Sequence, residues 1–368
     1  MSQPEFISGL ELNRRFYFEA VRPILNTHFP NLPHTAAYIG TGSDVLGFDT
    51  PMSTDHDWRP AVTIFLRSQD LHYAENIHEV MSYNLPHLFY GYPTNSVQAP
   101  DESQGTYVMQ ETTEYPINHS VWALTLRDFF WEYLCWDIEV LLTIGDWLTI
   151  GSQELRSVTG GAVYHDAIGE LTHIRKQLSW YPHDLWLYLL AAVWWRIENE
   201  EHLMGRAGYV DDELGSSIIG ARLVRDLMSL CFLMEKQYAP YPKWFGSAFK
   251  QLKCAAQLTP ILWQVQRAQT WQQRENALKG AYSFVARMHN TLGITQKLPE
   301  TVSNFRKTRP FQVIHGDVFA NAIVSQIKDE AVKRLTERPI IGSIDLFSDN
   351  SNLRSQIIWR SKLLTLYQ

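Results

Sequence analysis

The sequence predicts an α+β protein: a small mixed sheet with flanking helices, followed by a mostly α-helical bundle. Three observations predict it. Up to about residue 127, short β-branched and apolar runs alternate with glycine-rich or polar turns. From 128 onward, apolar residues recur at helical spacing in segments of helical length. A composition of 45% hydrophobic and 19% charged residues over 368 positions supports a sizeable buried core. At about 100–200 residues per domain, this length suggests two domains. The expected division is 1–127 for the sheet-bearing domain, 128–305 for a helical domain that closes over it, and 306–368 for a tail packing on the body.

The elements follow in order. Residues 9–27 place Leu10, Phe16, Val21 and Leu25 among the apolar positions of an amphipathic helix, which Pro23 kinks or ends. The apolar run 36–39 meets Gly40 and Gly42, the pattern of a strand ending in a tight loop. RPAVTIFLR at 59–67 reads as a second strand, 70–82 as a helix, and 87–92 and 120–126 as further strands. The polar stretch 93–118 between those last two reads as a long loop or an irregular hairpin. Helical segments are expected at 128–148, 152–178, 184–204, 212–238, 244–266 and 271–292, and strands at 311–314 and 339–344.

Several classes of function are disfavoured at once. With 32 basic against 39 acidic residues, the net charge is −7, a poor basis for neutralising nucleic-acid phosphates. Cys135, Cys231 and Cys254 are widely spaced and form no C-x-x-C pair, which argues against a disulfide framework or zinc ribbon and fits a reducing, cytoplasmic setting. The first twenty residues show no uninterrupted apolar stretch of a secretory signal. The longest apolar run, 185–195, is far shorter than the ~20 residues a bilayer requires, so a buried helix is expected and no membrane partner.

The chemistry concentrates in GSDVLGFDTPMSTDHD at 42–57. A Gly-Ser pair, Gly42-Ser43, follows a short strand and offers backbone N–H groups and a hydroxyl to phosphates. Further on, Asp55-His56-Asp57 runs into the second strand. If both acids lie on that strand, residues i and i+2 face one side, and their carboxylates form a hard-oxygen site for Mg²⁺. Asp44 lies beside the phosphate loop, where Arg59 compensates its charge.

This arrangement resembles the nucleotidyltransferase superfamily that includes DNA polymerase beta, with its Gly-Ser, spacer and Asp-x-Asp. Among characterised types it is similar to the kanamycin and lincosamide nucleotidyltransferases, whose Asp-x-Pro turn and Ser-Asp-x-acid are matched by Asp49-Thr50-Pro51 and Thr54-Asp55-His56-Asp57. Over most of its length the chain resembles an uncharacterised bacterial family of nucleotidyltransferase-like proteins, through GSDVLGFDTPxSTDHDW, WYPHDLWLYLLAA, DELGS at 212–216, YAPYPKWFG and GSID at 342–345. The resemblance implies transfer of a nucleoside monophosphate from an NTP to the hydroxyl of a small acceptor, with release of pyrophosphate. Asp55 and Asp57 would be catalytic and hold two Mg²⁺ (or Mn²⁺) ions, and Gly42, Ser43, Asp44 and Arg59 would contact the nucleotide. A general base would come from the helical domain, with Glu201, Asp212 and Glu213 as candidates.

Two positions depart from the superfamily pattern. Trp122 stands where a third carboxylate is expected on the 120–126 strand, with Asp128 and Glu132 just beyond, and Leu46 replaces an arginine of the antibiotic enzymes. These favour an alternative: a catalytically degenerate fold that senses nucleotide or binds a protein. Other constellations fall away. Val45 breaks any G-x-G-x-x-G, no P-loop is present, and the His315-Gly316-Asp317…Asn321 set misses kinase spacing by one residue. Arg196 and His202 match a loose ribonuclease pattern that a long helical chain meets by chance.

Overall fold

The computed structural model describes residues 4–99 and 106–368. Positions 100–105 of the stretch expected to form a loop or hairpin, and the first three residues of the segment screened for a signal, lie outside the described residues. The chain forms two compact units. The first comprises Met1–Leu141 and Glu154–Ser179, the second Leu142–Gln153 and Trp180–Gln368. The fold class is α+β, with a small mixed sheet and many helices. The boundaries differ from those the sequence suggests, since residues 154–179 belong with the sheet and 306–368 belongs to the helical unit.

The first unit is built on four strands in the order Ser120–Thr125, Ala61–Leu66, Thr35–Tyr38, Ala162–Asp166. Ala61–Leu66 pairs parallel with Ser120–Thr125 and antiparallel with Thr35–Tyr38, which in turn pairs antiparallel with Ala162–Asp166. Every residue of Ala61–Leu66 is buried because both faces are covered. Val62, Ile64 and Leu66 join a core with Phe16, Tyr17 and Val21 of the first helix and Ile77 and Met81 of the helix Ala74–Asn84. By the two-residue period, Ala61, Thr63 and Phe65 face the other way, and Phe65 packs edge-on to Phe129 at 5.4 Å. Burial on this scale contributes about 25 cal/mol per Å² of apolar surface and is what holds the sheet flanked.

The first helix runs through Gly9–Arg15, a π turn at Phe16–Val21 and Arg22–His28. Pro23 carries no N–H for the carbonyl of Glu19, and the hydrogen-bond ladder widens there instead of breaking. Within the stretch 93–118, Ser96–Gln98 and Tyr107–Met109 pair as a short antiparallel ladder.

Three helical expectations are corrected. The segment 152–178 is not one helix but Ser152–Thr159, the strand Ala162–Asp166 and the helix Glu170–Gln177. Gly160-Gly161 makes the break: Gly161 has φ +62°, and a Cβ there would lie 2.1 Å from the Tyr38 carbonyl oxygen. The segment 128–148 likewise divides, because Leu126–Leu134 ends on Cys135 at φ 49° before Ile144–Thr149 begins. The segment 244–266 splits into Pro242–Phe249 and Ala255–Arg267. The strand expected at 339–344 is also absent: Gly342 at φ +73° and Ser343 at an N-cap position lead into a short helix, Ile344–Phe347.

The second unit centres on His183–Tyr209, a helix of 27 residues whose positions 185–194 are buried on every side. It packs against Glu213–Met234, Trp271–Thr291 and Gly316–Val324. A hairpin of Ser303–Arg306 and Arg309–Val313 precedes the last of these. Among the described residues, no helix is long and apolar enough to cross a membrane.

Candidate functional site

The glycine loop leaves the Thr35–Tyr38 strand at the sheet's end. Gly40 has φ 103° and Gly42 φ 147°, and a Cβ on Gly42 would meet the Asp44 carboxylate at 2.2 Å. Position 42 therefore requires glycine. The loop then closes as a turn, with Phe48 N–H donating to the Ser43 carbonyl at 2.8 Å.

The acidic pair is not on a strand, which corrects the sequence-based expectation. Thr50, Pro51 and Ser53 start a 3₁₀ turn over Pro51–Asp55: Thr50 N–H donates to Ser53 Oγ at 3.0 Å, and Pro51 sits where no N–H is needed. This local capping outcompetes the extended conformation. Asp57 then adopts a left-handed φ of 54°, tolerable for aspartate. Its N–H donates to the Tyr107 carbonyl at 2.8 Å, and its Oδ1 accepts the Tyr107 N–H at 3.0 Å. Asp55 pairs with His56 at 2.9 Å. The two side chains remain 61% and 54% exposed, Asp55 and Asp57 respectively, so neither is committed to the core. Asp49 anchors the whole excursion, accepting from Gly9 N–H at 2.7 Å and from the Trp58 indole at 3.1 Å.

A cleft of about 820 Å³ opens on the Thr63 face of the sheet, with Gly40, Gly42, Asp57, Arg59, Trp122 and Glu132 among its lining residues. The parallel register sets Thr63 beside Trp122, so the tryptophan stands in this cleft, 45% exposed. Arg59 lies between aromatic faces, its guanidinium 5.3 Å from the Tyr107 ring centroid and 5.7 Å from that of Trp122. Its Nε donates to Ser120 Oγ, and Nη1 lies 3.7 Å from Asp57 Oδ1. That Nη1 is buried and has no hydrogen-bond partner among the described residues. On the helix Leu126–Leu134, Phe129 and Tyr133 stack at 5.7 Å and line the same space.

The structure therefore brings Gly42, Asp57 and Arg59 together. Asp55 and Ser43 are not among the lining residues. Asp44, expected at the nucleotide, is buried beneath the loop, where it accepts the Tyr38 hydroxyl at 2.8 Å and Val45 N–H at 2.9 Å. Burial pushes its pKa up to about 6. Asp128 is engaged by the helix cap Thr125: its N–H donates to Thr125 Oγ1 at 3.0 Å, and its Oδ2 accepts the Thr125 hydroxyl at 2.7 Å. Glu75 and His78, also in the cleft wall, carried no sequence signal, because they are helix-face residues made neighbours only by tertiary packing.

The three candidate bases have other duties within the helical unit. Glu201 is buried and accepts N–H groups from Ile314 at 2.7 Å and Gly316 at 3.2 Å. Asp212 caps the helix Glu213–Met234 through Gly215 N–H at 2.7 Å. Glu213 accepts from Trp271 N–H at 2.9 Å and pairs with Arg274 at 3.3 Å. Of the nearby cations, Arg222 pairs with Glu200 and Arg225 with Asp349.

Comparison with known proteins adds two findings. Residues 147–245 match the family model DUF4037, a domain of unknown function. Across the whole chain there is similarity to a solved structure, a nucleotidyltransferase-like protein from Exiguobacterium sibiricum 255-15. Identity is 12%, coverage 95% of this chain and 90% of that one, and the TM-score 0.30. No curated protein matches the chain.

Proposed function

We propose that the cleft binds a nucleoside triphosphate with Mg²⁺ and that the protein transfers the nucleoside monophosphate to a hydroxyl of a small acceptor. The observation that carries this reading is the Arg59 guanidinium, whose buried Nη1 makes no hydrogen bond among the described residues and only a 3.7 Å ion pair with Asp57, in one cleft with the glycine loop. Backbone N–H groups around Gly42 and the Arg59 cation suit phosphate oxygens. Trp122, Phe129 and Tyr133 offer faces for a nucleobase. Asp57 in the cleft wall, and Asp55 two residues before it and outside the lining, are exposed hard-oxygen donors and fit an ion that draws its other ligands from phosphates and water. Bound there, Mg²⁺ would neutralise the charge developing on the departing pyrophosphate. The residues themselves hold the phosphates in line and exclude solvent from one side.

A second reading, nucleotide sensing without transfer, is favoured by one observation. Trp122, beside Thr63 in the cleft, occupies the strand position where the superfamily pattern expects a third carboxylate. Incubation with labelled NTPs, Mg²⁺ and a panel of hydroxylated amines separates the two: pyrophosphate release supports transfer, and tight binding without release supports sensing. The Trp122→Glu variant sharpens the test. Because Trp122 is half-exposed, the change should alter stability by only about 1 kcal/mol. Mg²⁺ affinity should rise at least tenfold as a carboxylate enters the cleft. Marked destabilisation with no gain in Mg²⁺ affinity would make Trp122 a structural platform and remove the argument for a missing acid.

A further inference from the structure

A second cavity lies wholly within the helical unit. Its volume is about 70 Å³, and its lining includes Trp180, Tyr181, Val193, Phe232, Tyr238 and Asp345. One water requires about 10–15 Å³ measured in this way, so the space suits a single ring with a substituent. The Trp180, Tyr181 and Tyr238 rings touch one another, with centroids 4.9 to 5.1 Å apart. Packed so closely, they make one continuous wall. They are not a cage around a cation, which would need its rings held apart.

The polar features define the ligand further. Trp180 Nε1 is buried and has no hydrogen-bond partner among the described residues. An unpartnered donor of this kind is a standing free-energy cost that an acceptor atom relieves. Asp345 is the charged group in the lining, and its charge is already balanced: it accepts Ser152 N–H at 2.8 Å and pairs with Arg354 at 2.5 Å. Neither a cation nor an anion gains from this wall, whereas a flat neutral molecule with one acceptor does. Apart from Ser343, Asp345 and Leu346, every lining residue falls within 147–245, the segment that matches the domain of unknown function. The cavity is thus built almost entirely by that segment.

We infer that this cavity is a binding site for a small uncharged single-ring aromatic compound whose carbonyl, phenolic oxygen or ring nitrogen accepts from the Trp180 indole. This site is separate from the nucleotide reading and stands if that reading fails. The test uses three ring compounds of similar size on the full chain: benzamide (neutral), benzoate (anionic) and benzylamine (cationic). Saturation-transfer NMR reads binding, and the Trp180 indole ¹H–¹⁵N resonance, assigned with Trp180→Phe, reports contact. Benzamide should bind at least tenfold more tightly than either charged analogue and shift that resonance. Ser229→Phe, which places a ring into the cavity from a partly exposed helix position, should abolish binding while keeping the wild-type melting profile. Should Ser229→Phe fail to fold, Trp180→Phe carries the test, with benzamide expected to weaken several-fold. Preference for a charged analogue, unchanged binding in both variants, or no binding by any of the three would overturn the inference and leave a solvent-filled void.

Discussion

The double variant Asp55→Asn/Asp57→Asn is expected to lose Mg²⁺-dependent nucleotide binding, by 100-fold or more in affinity, while melting at or slightly above the wild-type temperature. The asymmetry follows from where the two side chains stand. Both are more than half exposed, so removing their charge costs little burial energy, and surface changes of this kind shift stability by only about 0.5 kcal/mol. Asparagine keeps an oxygen to accept the Tyr107 N–H and is as tolerant as aspartate of the left-handed backbone at position 57. Asparagine does, however, deprive a divalent ion of its anionic ligands. Calorimetric titration with Mg²⁺-NTP, and with NTP in chelator, resolves the metal-dependent part. An affinity that stays Mg²⁺-sensitive in the double variant would remove these two residues from the site.

Glu201→Gln should invert the stability ranking between pH 5 and pH 8. Burial drives the Glu201 pKa from 4.5 up to about 8, Glu198 adds to the rise, and the N–H groups of Ile314 and Gly316 oppose it. The folded state therefore holds this proton more tightly than the unfolded one. The resulting stabilisation is complete below about 4.5 and is lost as the pH climbs towards 8. The limiting slope is about 1.4 kcal/mol per pH unit. Glutamine cannot ionise, and its amide satisfies one of the two N–H groups, a fixed cost of about 1 kcal/mol. The variant should thus melt slightly lower than wild type at pH 5 and several degrees higher at pH 8. Asp44 and Asp226, also raised by burial to about 6, titrate equally in both proteins and cancel in the difference. Parallel melting curves across that range would show that Glu201 is ionised in the folded protein throughout.

What could be read from sequence divides along physical lines. The strands at 61–66 and 120–125 were legible because β-branched runs bounded by breakers have few alternatives, and His183–Tyr209 because its apolar run is long. The acidic pair was misplaced because Thr50, Pro51 and Ser53 encode a capped turn, and a local hydrogen bond to a hydroxyl overrode the pattern that extends into the next strand. The Ala162–Asp166 strand was hidden between two helical periodicities, although Gly160-Gly161 marked the interruption. The duties of Glu201 and Glu213 depend on partners more than fifty residues away, Ile314 and Trp271 among them, and no local pattern reports such contacts. Arg59 stood out in the sequence only as a nearby cation. That its Nη1 is buried without a hydrogen bond among the described residues is visible only in three dimensions.

The interleaving of the two units has a consequence for how the polypeptide is made. Thr35–Tyr38 needs Ala162–Asp166 as its neighbour on one side, and that neighbour is synthesised more than a hundred residues later. At about 5–20 residues per second, the nascent strand waits on the order of ten seconds with one hydrogen-bonding edge bare. An apolar edge of this kind is a template for pairing with other chains. Truncation after residue 141 makes the wait permanent, so such a fragment should be recovered as aggregate. A dissected first unit instead calls for joining 141 to 154 through a short linker, which restores the edge strand and omits the excursion into the helical unit.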